Sequence, residues 1–302
     1  ISVGAAGLVA AMAHQPGTPA RAELTLAGDT AAAPGLAAAQ VELAALVGDV
    51  ERLGELGRGA LTALVAQDFD SLDAAVTDGE ALARAIEVRS GGIREGLLLL
   101  PGSGPDEALI WSSETRDRRD IALAAVGATG GLELAWSRLA AGATVANRLT
   151  VLLVEHDKVA GQAAASGRDR KYAAGLKTLA RAQAMLDEAR TLRDALANTV
   201  DVSTLTQWID RNAEYDAALA RLFRATVAAK GSITKELRDA FVAERKAHDL
   251  LPANTSGLVI ILAEIGRGGL NQAVIAIEEA RAELQAAVDR LADEEPAPGA
   301  GG

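Results

Sequence analysis

Cysteine is absent from this 302-residue chain, and that one absence removes disulfides, thiolate nucleophiles and sulfur-based metal sites together. Aromatic residues make up 3% of the chain, while the hydrophobic share is 49%, so the core must be built from alanine, leucine and valine. Small side chains of this kind suit close helix packing and leave little to line a deep aromatic pocket. No concentrated block of lysine and arginine occurs, and the 30 basic residues are outnumbered by 41 acidic ones, for a net charge of −11. A surface of that balance excludes broad electrostatic binding of nucleic acid or of an anionic membrane. Only three histidines are present, His14, His156 and His248. None forms a His-x-x-His or Glu-x-x-His pair, so neither zinc hydrolase nor di-metal carboxylate chemistry is supported, and no cofactor or metal is expected.

What is present is helical periodicity. Leu43, Leu46, Val47, Val50, Leu53, Leu61, Leu64 and Val65 recur on one face of a long helix that the pattern starts near Leu36. After a break at Gln67-Asp68-Phe69-Asp70, Leu72, Val76, Leu82, Ile86, Ile93 and Leu97 form a second arm, with Asp70 as its expected N-cap and an interruption at Gly91-Gly92. Each arm spans about 45 Å at a rise of roughly 1.5 Å per residue, more apolar surface than two helices alone can hide. The pattern continues from Asp106 to about Ala165 with a break expected near Thr129. A second hairpin follows over Tyr172–Thr199 and Asp201–Phe223, then a short helix after Gly231-Ser232 and a last long one from Asn254–Ser256 to about Leu291. The fold class is therefore all-α, an elongated antiparallel bundle or set of paired helical hairpins with long helices.

Domain organisation follows from the punctuation. Residues 1–35 form an Ala-rich segment and a Pro/Gly-containing connector; 36–128 hold the first hairpin and a crossing helix; 129–292 hold a second bundle segment; 293–302 are a Pro/Gly/Ala-rich tail. The apolar, uncharged opening from Ile1 to Ala13 is shorter than the roughly 20 residues a bilayer span needs. It is read either as the end of a removed membrane segment or as a packed Ala-rich helix. The first reading, together with a C-terminal tail that reads as a linker to an attachment, gives a slight preference for an extracytoplasmic or membrane-associated setting over a cytoplasmic one.

Two stretches read Leu-x-Glu-Leu/Ile-Gly-Arg-Gly-x-Leu, one at Leu53–Leu61 and one at Leu262–Leu270. Glycine inside a helix costs about 1 kcal/mol relative to alanine. Gly54 and Gly57 are therefore expected to pack closely against another helix face, with Gly266 and Gly268 as their counterparts. Candidate ligand or partner contacts are the large aromatics and nearby charges: Trp111, Arg118, Glu155, His156, Trp208 and Tyr215. Glu155-His156-Asp157 attracts attention, but adjacent helical residues point in different directions and make no ready triad. His156 is accordingly read as a solvated or hydrogen-bonded surface group. The expected function is a noncatalytic binding or sensory module for an unknown small molecule or protein, as a monomer or weak dimer. A structural scaffold is the alternative, and an enzyme of unidentified class ranks third.

Overall fold

A computed structural model describes residues 19–103, 110–197, 201–251 and 271–293. The protein is all-α, and among the described residues there is no strand. In chain order the helices are α1 (Pro19–Ala66), α2 (Phe69–Leu98), α3 (Ser113–Ala128), α4 (Leu132–Arg168), α5 (Tyr172–Leu196), α6 (Ser203–Ala229), α7 (Lys235–Asp249) and α8 (Asn271–Asp293).

The first helix corrects the expected connector. Instead of starting at Leu36, α1 begins at Pro19 and passes through Pro34. Pro34 has no N–H to give the preceding turn, which ordinarily breaks a helix. Here Ala32, Leu36, Ala39, Leu43, Leu46, Val47 and Val50 share one buried face on both sides of the proline, and their packing carries the helix across it. The segment Arg21–Ala66 is also long and apolar enough to cross a membrane by length and composition alone.

The reversal between α1 and α2 falls where the pattern broke. Gln67 takes a left-handed conformation (φ 58°), and the cap is Asp68, one residue pair earlier than the expected Asp70, which lies in the first turn of α2. The Ser71 amide donates to Asp68 Oδ1 at 3.1 Å and its hydroxyl to Oδ2 at 2.7 Å. Those bonds hold the Asp68 carboxyl below its ordinary value. The expected interruption at Gly91-Gly92 does not occur, and α2 runs through both glycines.

The break near Thr129 is present: α3 ends at Ala128, Gly131 takes φ +92°, and α4 starts at Leu132. Ser112 caps α3 by accepting from the Thr115 amide at 3.1 Å. The turn placed at Ser166–Asp169 comes slightly later, with Arg170 left-handed at φ 61°. The helix expected after Gly231-Ser232 begins at Lys235, capped by Thr234. The start of the last helix at Asn254–Ser256 lies outside the described residues, as do Gly266 and Gly268.

By internal contacts the chain divides into two units. One takes the described residues within 19–56, 77–136 and 274–293, the other those within 57–76 and 137–273. In the first, α1 and α2 each bury one face and are tied by Arg89 to Glu42 and Asp49, and Trp136 and Trp111 are 1% and 4% exposed. In the second, α5 and α7 pack on α6, and Ala163, Leu179, Leu219 and Phe223 form a buried cluster.

Candidate functional site

In the second unit α6 carries Trp208, Asn212 and Asp216 at four-residue spacing, which puts all three on one helix face. That face is the buried one, so two polar side chains enter an otherwise apolar interior. Asn212 satisfies its amide on its own helix, donating from Nδ2 to the Trp208 carbonyl at 2.9 Å. Asp216 instead meets His156 of α4, with Oδ2 at 3.0 Å from Nε2. The two are 1% and 0% exposed, which corrects the reading of His156 as a surface group. The apolar periodicity of α4 brings the ring inside, and the facing helix supplies the partner of Nε2.

The other ring nitrogen, Nδ1, lies 3.4 Å from Asp157 Oδ1. Burial alone pushes the imidazolium toward neutrality, but hydrogen bonds and charge from Asp157 and Asp216 outweigh it and raise the pKa to about 9. At neutral pH the buried His156 ring is therefore held in its protonated form against Asp216 and Asp157. The Trp208 ring lies edge-on to the imidazole, with centroids 6.1 Å apart and planes at 73°. Asp216 Oδ1 is buried without a hydrogen-bond partner. With both ring nitrogens facing carboxylates, His156 has no free nitrogen for proton transfer or ligation. Its chemistry is that of a clamp between α4 and α6.

Tyr215 is buried beside this pair in sequence but faces α7, where its ring lies 5.8 Å from that of His248. Burial, followed by the negative charges of Glu244 and Asp216, pushes its hydroxyl pKa up. Glu155 turns away and pairs with Lys158 at 3.4 Å.

Trp111 and Arg118 belong to the first unit. The Trp111 indole donates to the Pro101 carbonyl at 2.7 Å, the Arg119 guanidinium lies 5.0 Å from its ring, and Arg116 donates to its carbonyl at 2.7 Å. Gly102, at φ +90°, lies against the indole where a Cβ would have no room. Trp111 thus anchors the entry to α3. Arg118 reaches Gln40 at 3.5 Å and keeps its Nε buried and unpaired. Of the six candidates, the structure brings His156 and Trp208 together. Asp216 was missed, although a polar residue on the buried stripe of α6, eight positions after Trp208, was a readable signal.

Gly54 and Gly57 are both buried, whereas Gly59 in the same motif meets nothing within 4 Å. The first unit also contains a cleft of about 840 Å³ between α3 and α8. Its floor is Ile121, Ala124 and Ala125 of α3 with Ala282, Ala286 and Ala287 of α8, and its rim carries Asp117, Asp120, Glu283 and Arg290. Among the described residues no group of three or more His, Asp or Glu side chains is arranged to hold a metal ion.

No protein-family model, curated protein or solved structure matches the chain. The class that can be stated is therefore structural, an all-α protein of long helical hairpins with a buried His–Asp clamp.

Proposed function

We propose that the protein is a noncatalytic helical binding or sensory module, and that the α3–α8 cleft is where it receives a ligand or partner. The carrying observation is the cleft itself: a volume of about 840 Å³ with a floor of small residues and a polar rim. Alanine floors admit a narrow apolar group close to the helix backbones. Asp120 is already paired with Arg119 at 2.8 Å, which leaves Asp117 and Glu283 beside Arg290 and a small excess of negative charge that favours a cationic group. The His156–Asp216 pair supports the noncatalytic reading, since it is sealed from solvent and its ring nitrogens both face carboxylates.

An extracytoplasmic or membrane-associated setting is part of the proposal. It is supported by the apolar stretch in α1, whose most apolar window has mean hydropathy 1.4. Fractionation of cells expressing the complete gene product tests it, and recovery only in the cytosolic fraction would sink it.

Native mass spectrometry of gently purified protein, beside the same sample denatured, tests the binding reading. A mass lost on denaturation is expected, and Ala124→Leu with Ala286→Leu should fill the cleft and abolish it. An adduct equally abundant in wild type and the filled variant, or none in either, would count against the cleft.

A further inference from the structure

Three glycines of the first unit stand open around one space. A Cβ built at Gly91 of α2, at Gly127 of α3 or at Gly131 in the following turn meets no atom within 4 Å. Glycine inside a helix is destabilising relative to alanine, and nothing packs against these bare positions to offset it. All three line a pocket of about 360 Å³ between α2 and the α3–α4 turn, a size typical of small-molecule sites.

Helical spacing builds the α2 wall. Glu87, Ser90, Gly91 and Arg94 recur at three and four residues, so they share one face of the helix. Ser90 is the buried member of this set, at 7% exposure. From the turn, Thr129 can donate its hydroxyl hydrogen to Ser90 Oγ or to the Val126 carbonyl, each at 2.8 Å. One hydrogen serves only one of these acceptors. If it goes to Val126, Ser90 donates to Thr129 and its own oxygen accepts nothing; if it goes to Ser90, the Ser90 hydrogen is left over. In both arrangements a buried hydroxyl lining the pocket keeps an unused hydrogen-bonding position.

Charges of both signs border the same pocket without cancelling. Glu133 of α4 brings its carboxyl within hydrogen-bonding reach of Glu87. Two ionised carboxylates repel, and a cation between them removes the repulsion. Arg94 has no ion pair among the described residues. Calcium takes roughly six to eight oxygens, and no third His, Asp or Glu among the described residues joins the two carboxyls to hold a metal. An ammonium group has three donors, which the two carboxyls and Ser90 Oγ match. Glu87 and Arg94 lie about 10 Å apart along the axis of α2, so a ligand reaching both carries its charges at opposite ends of a chain. We propose that this pocket binds a small linear zwitterion, an ω-amino acid with its ammonium at Glu87, Glu133 and Ser90 and its carboxylate at Arg94. It shares no lining residue with the α3–α8 cleft. The charged side chains are exposed to water, so binding is weak, with a Kd of about 0.1–5 mM.

The test is an NMR chemical-shift titration of the full chain with 6-aminohexanoate, beside hexylamine and hexanoate. The zwitterion should bind at least about tenfold more tightly than either singly charged compound. Arg94→Gln should reduce it to the level of hexylamine, and Glu87→Gln with Glu133→Gln to the level of hexanoate. Gly91→Leu puts a better helix former into the pocket, and should abolish binding while circular dichroism shows the fold retained. In the wild type the bound ammonium should lower the pKa of the Glu87 carboxyl, since it favours the ionised form. No binding at about 10 mM, equal affinity for the three compounds, or affinity unchanged in the charge and Gly91 variants would overturn the site. Ala124→Leu with Ala286→Leu should leave this binding intact. Its loss there would assign the ligand to the α3–α8 cleft and overturn the proposal, whereas failure of the cleft leaves this titration unaffected.

Discussion

The two units handle buried charge differently. In the first, Asp49 is 6% exposed but is held by Arg52 and by Arg89 at 3.2 Å, whose side chains are 64% and 38% exposed. The cations stay hydrated while their stems cover apolar surface, so the desolvation falls mainly on one carboxylate. In the second unit both members of the His156–Asp216 pair are sealed inside. Packing around glycine, by contrast, varies within each unit: Phe223 presses on Gly167 and Gly175 in the second and Trp136 on Gly79 in the first, while Gly161 and Gly48 face open space. The second unit is built around an internal clamp, and described residues of the first line grooves. Binding is therefore sought in the first unit, and sensitivity to single substitutions in the second.

The largest effect expected from breaking this contrast is that of Asp216→Ala, which leaves the His156 imidazolium buried without its main partner and should destabilise by about 3–5 kcal/mol. Denaturant unfolding monitored by circular dichroism checks it. A loss below about 1 kcal/mol would show that the pair is not buried as an ion pair.

Next in size is the response to alkali. The folded-state pKa of His156 is raised to about 9 from an ordinary value near 6.5, so its contribution is fully present below pH 6.5 and lost as pH rises through about 9. The loss should be roughly 3 kcal/mol, visible as a falling midpoint of urea unfolding across that window. Replacing both partners, His156→Leu with Asp216→Leu, should flatten the profile. A slope that persists in the double variant would assign it to other groups.

Glycine substitutions sharpen the comparison from both sides. Gly175→Ala places a Cβ 2.6 Å from Phe223 Cε2 and 3.3 Å from the Ala163 carbonyl, and should destabilise by about 1–3 kcal/mol. Gly48→Ala meets nothing and should stabilise by about 0.5–1 kcal/mol. Equal signs for the two in thermal melts would remove the distinction between filled and open glycine positions.

The smallest effect concerns an exposed pair in the first unit. A hydrogen bond and charge repulsion from Glu133 push the Glu87 carboxyl above its ordinary value. Glu133→Gln should lower it, as followed by carboxyl chemical shifts in an NMR titration, with little change in stability. An unmoved titration would separate the two side chains in solution.

Much of the fold was legible because helical periodicity is a local property. The breaks at Gln67 and Thr129 and the start of α5 at Tyr172 all fall where spacing, glycine and turn residues place them. Pro34 and the Gly91-Gly92 pair misled for one reason: local propensity argued for interruption, and tertiary burial of Leu36 and Ile93 kept each helix going. The site was harder to read. Glu155-His156-Asp157 drew notice as three adjacent charges, and Asp157 does face Nδ1, but the closer, buried partner lies 60 residues away on α6. Trp111 drew notice as a rare aromatic, and proved to be occupied in fixing the start of α3.

By itself the sequence determined the helical class, the absence of thiol chemistry, the acidic surface and most turn positions, because composition and short-range spacing specify them. Only the tertiary structure decided that His156 is buried and charged, that its partner is Asp216, and which glycines are filled and which stand open. Those outcomes depend on which helix face meets which neighbour, and periodicity along a single chain does not encode that pairing.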